Sequence, residues 1–151
     1  MTILIQFEES LPPNVDCNLL KRAIRTTLER HNRTDVDITL QLTSDANMQQ
    51  LNHTYRGVDA TTDVLAFNQD YIDPETDRLY LGDIIISVET AQSQALEIKH
   101  PLDHECALLA VHGTLHLLGY DHYDPEEQTI MWTIQDQILK DLIINSQEDV
   151  E

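Results

Sequence analysis

The stretch that decides the fold is residues 106–122, Cys-Ala-Leu-Leu-Ala-Val-His-Gly-Thr-Leu-His-Leu-Leu-Gly-Tyr-Asp-His. Its first half is almost entirely apolar, which predicts a helix near the centre of the fold. His112 and His116 are four residues apart, so they lie one turn apart on the same face of that helix. Gly119 can adopt the left-handed conformation that ends a helix, and the resulting turn can bring His122 back over the same face.

These three histidines predict a metal site. Three imidazoles that converge on one point form a zinc site with a free fourth position, which is the arrangement of catalytic rather than structural zinc. A single histidine near an apolar helix is usually a hydrogen-bonded residue at the edge of the core, but the third histidine after the glycine favours a metal. Histidines in an apolar wall also need polar partners, and a metal ion is one.

The histidine spacing matches the long motif of zinc proteases, which carries a glutamate as general base directly after the first histidine. Gly113 occupies that position, so the sequence argues against peptide hydrolysis by that mechanism. We expect the small residue to leave room for a bulkier substrate beside the metal. Asp121 precedes the third histidine and has two interpretations, as a carboxylate that orients a ligand or acts as base, and as a turn residue.

The composition predicts one compact domain without a membrane segment. The chain has 151 residues, of which 41% are hydrophobic, enough for a single core. No apolar run approaches the length of a membrane span, and no secretory signal opens the chain. Cys17 and Cys106 are far apart in sequence and are interpreted as reduced thiols, which indicates a cytoplasmic protein.

The net charge of −18 argues against unaided binding to a polyanion, because the chain has 9 basic and 27 acidic residues. Five of the nine basic residues nevertheless fall within 13 positions, and this cluster comprises Lys21, Arg22, Arg25, Arg30 and Arg33. One interpretation is a locally basic surface on an acidic protein. The other, which we favour, is the solvated face of a helix.

The hydrophobic patterns predict an α+β domain in the order β-α-β-α-β-β-α-α-α. Strands are expected at 2–8, 36–43, 61–67 and 79–87, and helices at 17–31, from Ser44 to about Tyr55, and at 88–100, 102–118 and 126–144. They form a single domain over 1–144, with a small mixed four-stranded sheet packed against about five helices. Residues 68–78 are expected to be a polar loop, and 145–151 a disordered acidic tail.

A second group of polar residues lies between the second helix and the third strand. One interpretation of Arg56 is that its positive charge stabilises the C-terminal end of the helix dipole. The other is phosphate recognition, because a guanidinium binds phosphate oxygens through its forked N–H groups and stays charged. Asp63 could fix Arg56 or cap a turn. His53 is interpreted as a surface residue rather than a fourth metal ligand.

Four stretches in this order resemble the YbeY family of bacterial metal-dependent endoribonucleases. They are Leu51-Asn-x-x-Tyr55-Arg56-x-x-Asp59, Thr62-Asp63-Val64-Leu65-Ala-Phe67, Leu81-Gly82-Asp83-Ile84-x-Ile86-Ser87 and the histidine motif of residues 112–122. The resemblance extends over most of the chain. The family pattern often has serine where this chain has Ala66 and proline where it has Asn68. We expect both departures to lie at a strand end and to leave the proposed chemistry intact.

The resemblance implies a single-strand-specific endoribonuclease that acts in 16S rRNA maturation, ribosome biogenesis and ribosome quality control. His112, His116 and His122 match the family's zinc ligands, which implies one Zn²⁺ per chain. Arg56 matches an arginine important for activity, and Asp121 is a candidate base. The implied partners are single-stranded RNA, the small ribosomal subunit and ribosome-associated proteins, and the acidic balance favours action on ribosomal particles or with a partner protein.

Two alternative functions remain open at the level of sequence. The first is a zinc peptidase, which the missing glutamate at Gly113 disfavours. The second is a non-catalytic ribosome assembly factor whose metal only holds the last turn of the fold. In that case a fourth protein ligand should close the site. For a nuclease, the residues are compatible with attack on the phosphodiester by water or by the 2′-hydroxyl of the substrate.

Overall fold

The computed structural model describes residues 1–8, 15–121 and 123–149. The elements are β1 (Thr2–Phe7), α1 (Cys17–Arg30), β2 (Val36–Thr43), α2 (Asp45–Arg56), β3 (Val64–Ile72), β4 (Leu79–Ser87), α3 (Val88–Ile98), α4 (Leu102–Leu117) and α5 (Pro125–Asp149). The order and the α+β class agree with the sequence prediction. Helix α5 continues past the predicted end at Ile144, whereas the division into a domain and a tail stays a prediction.

The four strands form one mixed sheet in the order β1-β2-β4-β3. Strand β1 is parallel to β2 and β2 is parallel to β4, while β3 runs antiparallel to β4 at the opposite edge. Helices α1 and α2 lie within the crossover connections between the parallel strands, which need such long links. The apolar run Ile84–Ile86 is buried on both faces of β4, as the sequence predicts.

The two faces of the sheet are covered unequally. One face packs on the main core, with α4 in contact with α1, α3, α5, β3 and β4. The other face is covered near β3 and β4 by α2, where Met48, Leu65 and Ile85 form a small separate cluster. Towards β1 that face is open, and half of the Leu4 side chain is exposed. The structure therefore has a buried helical layer and a partly open sheet surface.

Strand β3 is longer than the sequence predicts, and this corrects the predicted loop over 68–78. The strand continues to Ile72, with Asn68 paired to Gly82 and Tyr71 to Tyr80 across an irregularity in register. Asp70 has φ +48° within that irregularity, a conformation that aspartate tolerates. A Cβ at Gly82 would lie 2.2 Å from the carbonyl oxygen of Phe67, so only glycine fits this close approach.

Candidate functional site

Helix α4 brings two of the predicted metal ligands together. The Nε2 atoms of His112 and His116 lie 3.1 Å apart, and both rings are partly buried. Two imidazoles that bind one zinc ion at about 2.0 Å in tetrahedral geometry have nitrogens separated by about 3.3 Å. The spacing of four along a helix is therefore realised as a pair of nitrogens suited to a single transition-metal ion.

Gln135 of α5 orients the first histidine of the pair. Its Oε1 accepts a hydrogen bond from Nδ1 of His112 at 3.0 Å, and the Gln135 side chain is buried. Because Nδ1 carries the proton in this contact, Nε2 of His112 presents its lone pair toward His116. This is the tautomer that a metal ligand requires, and a hydrogen bond of this kind commonly fixes ring orientation in metal sites.

The end of α4 follows the turn geometry expected from the sequence. Gly119 has φ +102°, its backbone N–H donates to the carbonyl of His116, and the N–H of Tyr120 donates to the carbonyl of Leu115. These two bonds make a Schellman motif, which ends the helix and reverses the chain direction. The third predicted ligand, His122, lies outside the described residues, so its position as a ligand stays a prediction.

Hydrogen bonds with the end of α1 and with β3 hold the end of α4 and the residues that follow it. Nε2 of His31, at the end of α1, accepts a hydrogen bond from the Tyr120 hydroxyl at 2.9 Å, while its Nδ1 donates to the Thr27 carbonyl. Asn68 of β3 donates its amide to the carbonyl of Leu117 at 2.9 Å. The family departure at Asn68 therefore lies inside β3, not at a strand end as expected, and it satisfies an otherwise unpaired carbonyl of the helix terminus.

Helix α2 ends at Arg56, which lies in the same region. Its first residue, Asp45, accepts hydrogen bonds from the hydroxyls of Ser87 and Thr90, and these contacts lower the pKa of the Asp45 carboxyl. At the other end, Gly57 has φ +71° and ends the helix directly after Arg56. The helix is thus fixed to β4 and α3 at its start, and its last residue reaches the cleft.

The Arg56 side chain is exposed and held by local contacts. Its Nη2 donates to the carbonyl of Ala66 at 3.2 Å, and its guanidinium lies 5.6 Å from the centre of the Phe67 ring. Asp63 instead accepts hydrogen bonds from the Val64 N–H and from the Gln94 amide, which agrees with its interpretation as a turn cap. Arg56 therefore presents the rest of its charge to solvent and to a ligand.

These side chains line one cleft of about 600 Å³. Its described lining residues come from α2, β3, α4 and the segment after α4, and include His112, His116, Arg56, Asp121, Asp63, Asn52, Asn68 and Tyr123. The structure thus brings together every predicted site residue that it describes. Paired imidazoles, a guanidinium and a carboxylate in one cleft can bind a metal and an anion side by side.

Among the described residues, no group of three or more histidine, cysteine, aspartate or glutamate side chains is arranged to hold a metal ion. The described part of the cleft supplies the pair His112 and His116. A three-ligand site therefore depends on a ligand beyond the described ranges, and the sequence motif predicts His122 for that position.

Gly113 lines the cleft and also packs closely on β4, so the expectation that it makes room for a substrate stays a prediction. A Cβ at this position would lie 2.7 Å from Cγ2 of Ile84 in β4. The missing side chain thus lets α4 approach the sheet closely, as glycine does where two backbones come together. A side chain at Gly113 would meet Ile84, so a glutamate would fit here only if α4 or Ile84 shifted.

The basic cluster of α1 takes no part in the described cleft. None of Lys21, Arg22, Arg25, Arg30 and Arg33 is among the described residues that line it. Arg30 forms an ion pair with Asp141 of α5, and Arg25 is exposed on the helix surface. These positions agree with a solvated helix face. Among the described residues that line the cleft, Arg56 is the one lysine or arginine.

Sequence reasoning missed Gln135, although a signal for it was present. Met131, Ile138 and Leu142 mark the buried face of α5, and Gln135 lies on the same face four residues after Met131. A buried amide on an apolar stripe needs a specific partner. That partner is His112, which only the packing of α5 against α4 reveals.

The fold and the cleft together define the class of the protein, an α+β protein with a histidine-lined site. Comparison with known proteins identifies its family. A family model described as Endoribonuclease YbeY matches residues 6–143. The chain belongs to this family.

Individual relatives agree with the family match. A protein named Endoribonuclease YbeY from Roseiflexus sp. (strain RS-1) is 39% identical over 154 residues, covering 97% of this chain and 96% of the relative. One of the same name from Gloeobacter violaceus is 49% identical over 117 residues, covering 75% of this chain and 60% of the relative. The second match thus spans less than two thirds of that relative's length.

A solution structure of a Thermotoga maritima protein supports the fold. It superposes with a TM-score of 0.65 at 24% identity, covering 98% of this chain and 93% of that protein. This similarity confirms the α+β architecture. In the described part of the chain, no helix is long and apolar enough to cross a membrane.

Proposed function

We propose that this chain is a zinc-dependent, single-strand-specific endoribonuclease that acts in 16S rRNA maturation, ribosome biogenesis and ribosome quality control in the cytoplasm. Membership of the YbeY family supports an endoribonuclease role. The observation that carries the proposal is the shared cleft, in which Arg56 and the pair His112 and His116 line one cavity. A phosphodiester in this cavity would meet a phosphate-binding cation and a metal-binding pair together.

The zinc ligands in this proposal are His112, His116 and the predicted third ligand His122. The Nε2–Nε2 separation and the hydrogen bond from His112 to Gln135 suit this role. A bound zinc ion supplies a Lewis acid that polarises a phosphoryl oxygen and makes water more acidic.

Arg56 acts on the phosphate itself. Its guanidinium neutralises negative charge that develops on the phosphate oxygens in the transition state. The hydrogen bond to the Ala66 carbonyl fixes one side of the guanidinium, and the remaining N–H groups are left for the ligand. Asp121, which lines the same cleft, would orient a ligand histidine or accept a proton.

The non-catalytic and peptidase alternatives are weaker on structural grounds. Gly113 occupies the position of the glutamate base of a zinc peptidase, and its close packing on Ile84 disfavours a larger side chain there. A structural zinc site would need a fourth protein ligand. A cleft of about 600 Å³ beside the histidine pair is instead the space that a substrate requires.

Purified protein should cleave single-stranded RNA and leave a duplex of the same sequence intact. His116→Ala should abolish cleavage, whereas His53→Ala, which removes an exposed histidine of α2, should not. Mass spectrometry of the product ends separates the two routes, because attack by the 2′-hydroxyl leaves a 2′,3′-cyclic phosphate and attack by water does not. Equal cleavage by wild type and His116→Ala would contradict the proposal.

The ribosomal part of the proposal has its own test. We expect faster cleavage of 16S precursor within small-subunit particles than of the same RNA free in solution, because the acidic chain lacks the charge for strong unaided binding. Equal rates on both substrates would remove the argument for a particle-bound substrate. Zinc binding without cleavage of either substrate would favour the assembly-factor alternative.

A further inference from the structure

A second cleft, of about 480 Å³, opens on the less covered face of the sheet. Gln6, Gln41 and Ile85 lie side by side across β1, β2 and β4 in its floor, as the strand register requires. Tyr55 and Phe67 form a wall of this cleft. The floor is rich in amide side chains and the wall is aromatic, a combination typical of a site for a flat polar ring.

Tyr55 is the exposed part of the aromatic wall, whereas Phe67 is half-buried and packs against the cluster of Met48, Leu65 and Ile85. The Tyr55 side chain is 68% exposed, and its ring centre lies 5.5 Å from that of Phe67. The Arg56 guanidinium lies over the Phe67 ring, 5.6 Å from its centre. An exposed aromatic ring beside a guanidinium is a surface on which nucleic-acid bases stack. Tyr55 contributes little to the core, so fold stability does not account for this placement.

The two clefts are neighbours. Asn68 lines both of them, and Tyr55 and Arg56 are consecutive residues at the end of α2. A nucleotide whose phosphate contacts Arg56 can therefore place its base toward the aromatic wall.

The distribution of charged residues also indicates that RNA binds at these two clefts more by stacking than by ionic contacts. Among the described residues that line the two clefts, Arg56 is the one lysine or arginine. The whole chain carries a net charge of −18. Because the electrostatic part of RNA affinity scales with the number of phosphates neutralised, one cation contributes little, and contacts independent of charge must supply the remainder.

We propose that Tyr55, packed beside Phe67, forms a stacking subsite for a base of single-stranded RNA next to Arg56. This inference rests on the proposed function and assigns its substrate a second point of attachment. It also gives a physical reason for single-strand specificity, because the faces of bases in a duplex are already stacked on their neighbours.

The test measures binding of fluorescently labelled oligoadenylate in a His116→Ala background, which prevents cleavage. Tyr55→Leu should weaken binding about tenfold and Tyr55→Trp should retain it. Tyr71→Leu is the matched control, because Tyr71 is 51% exposed and stacks on Tyr80 at 5.4 Å but lies outside both clefts as described. It should leave binding unchanged.

Two further readouts distinguish stacking from charge. Tyr55→Leu should leave the salt dependence of binding unchanged, whereas Arg56→Ala should reduce the slope by about one. With an abasic oligonucleotide that keeps every phosphate, Tyr55→Leu should have no effect. Unchanged oligoadenylate binding by Tyr55→Leu, or an equal loss with the abasic probe, would overturn the subsite.

The outcome is independent of the test of the proposed function. RNA cleavage by the otherwise wild-type protein, together with normal oligoadenylate binding by Tyr55→Leu, would retain the nuclease and reject the subsite. Base-dependent loss of binding in Tyr55→Leu, together with no cleavage by wild type, would support the subsite in an RNA-binding protein and reject the nuclease.

Discussion

Helices α2 and α4 end beside the same cleft, and each is followed by a glycine with positive φ, but they are held very differently. Helix α4 is buried among α1, α3, α5 and the sheet, so core packing fixes its histidines. Helix α2 buries only Met48 and Asn52, and its last residue, Arg56, is held by surface contacts. The metal-binding side of the cleft is therefore part of the core, whereas the phosphate-binding side is attached to its surface.

Because of this difference, substitutions at the two helix ends should have different effects on stability and on activity. A change near the histidines should alter folding and metal binding together. A change at Arg56 should alter RNA binding and catalysis without altering the fold, since the exposed side chain contributes little to the folded state.

The largest expected effect follows from Arg56→Ala. Cleavage of single-stranded RNA should fall about 100- to 1,000-fold, because a preorganised charge on the transition state is lost. Zinc content should be unchanged, and the free energy of unfolding should change by less than about 0.5 kcal/mol. Arg25→Ala, which removes an exposed arginine of α1, is the matched control and should keep full activity. Loss of zinc from the Arg56 variant would contradict the separation of roles.

Gly113→Ala tests how tightly α4 packs on the sheet. The new Cβ meets Ile84, so we expect a loss of about 1–3 kcal/mol in the free energy of unfolding, measured in urea. The double variant with Ile84→Ala should be less destabilised than the sum of the two single variants, because the clash is then relieved. Full additivity would show that the contact with Ile84 is not the reason for the glycine.

Gln135→Leu tests the orientation of His112. We expect zinc affinity to fall about 10- to 100-fold, as is usual when the hydrogen-bond partner of a ligand histidine is lost. Gln135→Glu keeps an oxygen acceptor and should restore most of the affinity. Gln137→Leu, at an exposed position two residues further along α5, should have no effect. Equal affinities for the Gln135→Leu and wild-type proteins would remove the positioning role.

The smallest effects are expected from the two helix-ending glycines. Beyond its chain neighbours, no atom of the described residues lies within 4 Å of a Cβ built at Gly57 or at Gly119, so each substitution to alanine should cost mainly the strain of the positive φ, about 1–2 kcal/mol. The two variants should therefore be similarly destabilised in thermal unfolding. Only Gly119→Ala should also weaken zinc binding, because Gly119 directs the chain from α4 back over the histidines. Equal zinc affinities would contradict this assignment.

The sequence predicts α4 and its histidine pair well because both depend on local spacing. An apolar helix with histidines four apart has one geometry, and the glycine that follows has few alternatives to a helix-ending turn. Arg56 could also be predicted as a cleft residue, though from the family resemblance rather than from its spacing.

The longer β3 and the role of Gln135 could not be predicted, for two physical reasons. The polar run Asn68-Gln69-Asp70 has the composition of a loop, but an edge strand tolerates polar residues, and Gly82 gives the backbone room to pair. Gln135 depends on which helix packs across α4, a tertiary contact that no local pattern encodes.

The most direct test of the account measures zinc content and single-stranded RNA cleavage on the same samples of wild-type protein and a His112→Ala/His116→Ala variant. We predict about one zinc per chain and RNA cleavage in the wild type, with both lost in a variant that remains folded by circular dichroism. A folded variant that still cleaves RNA at the wild-type rate, or that still holds stoichiometric zinc, would contradict the account.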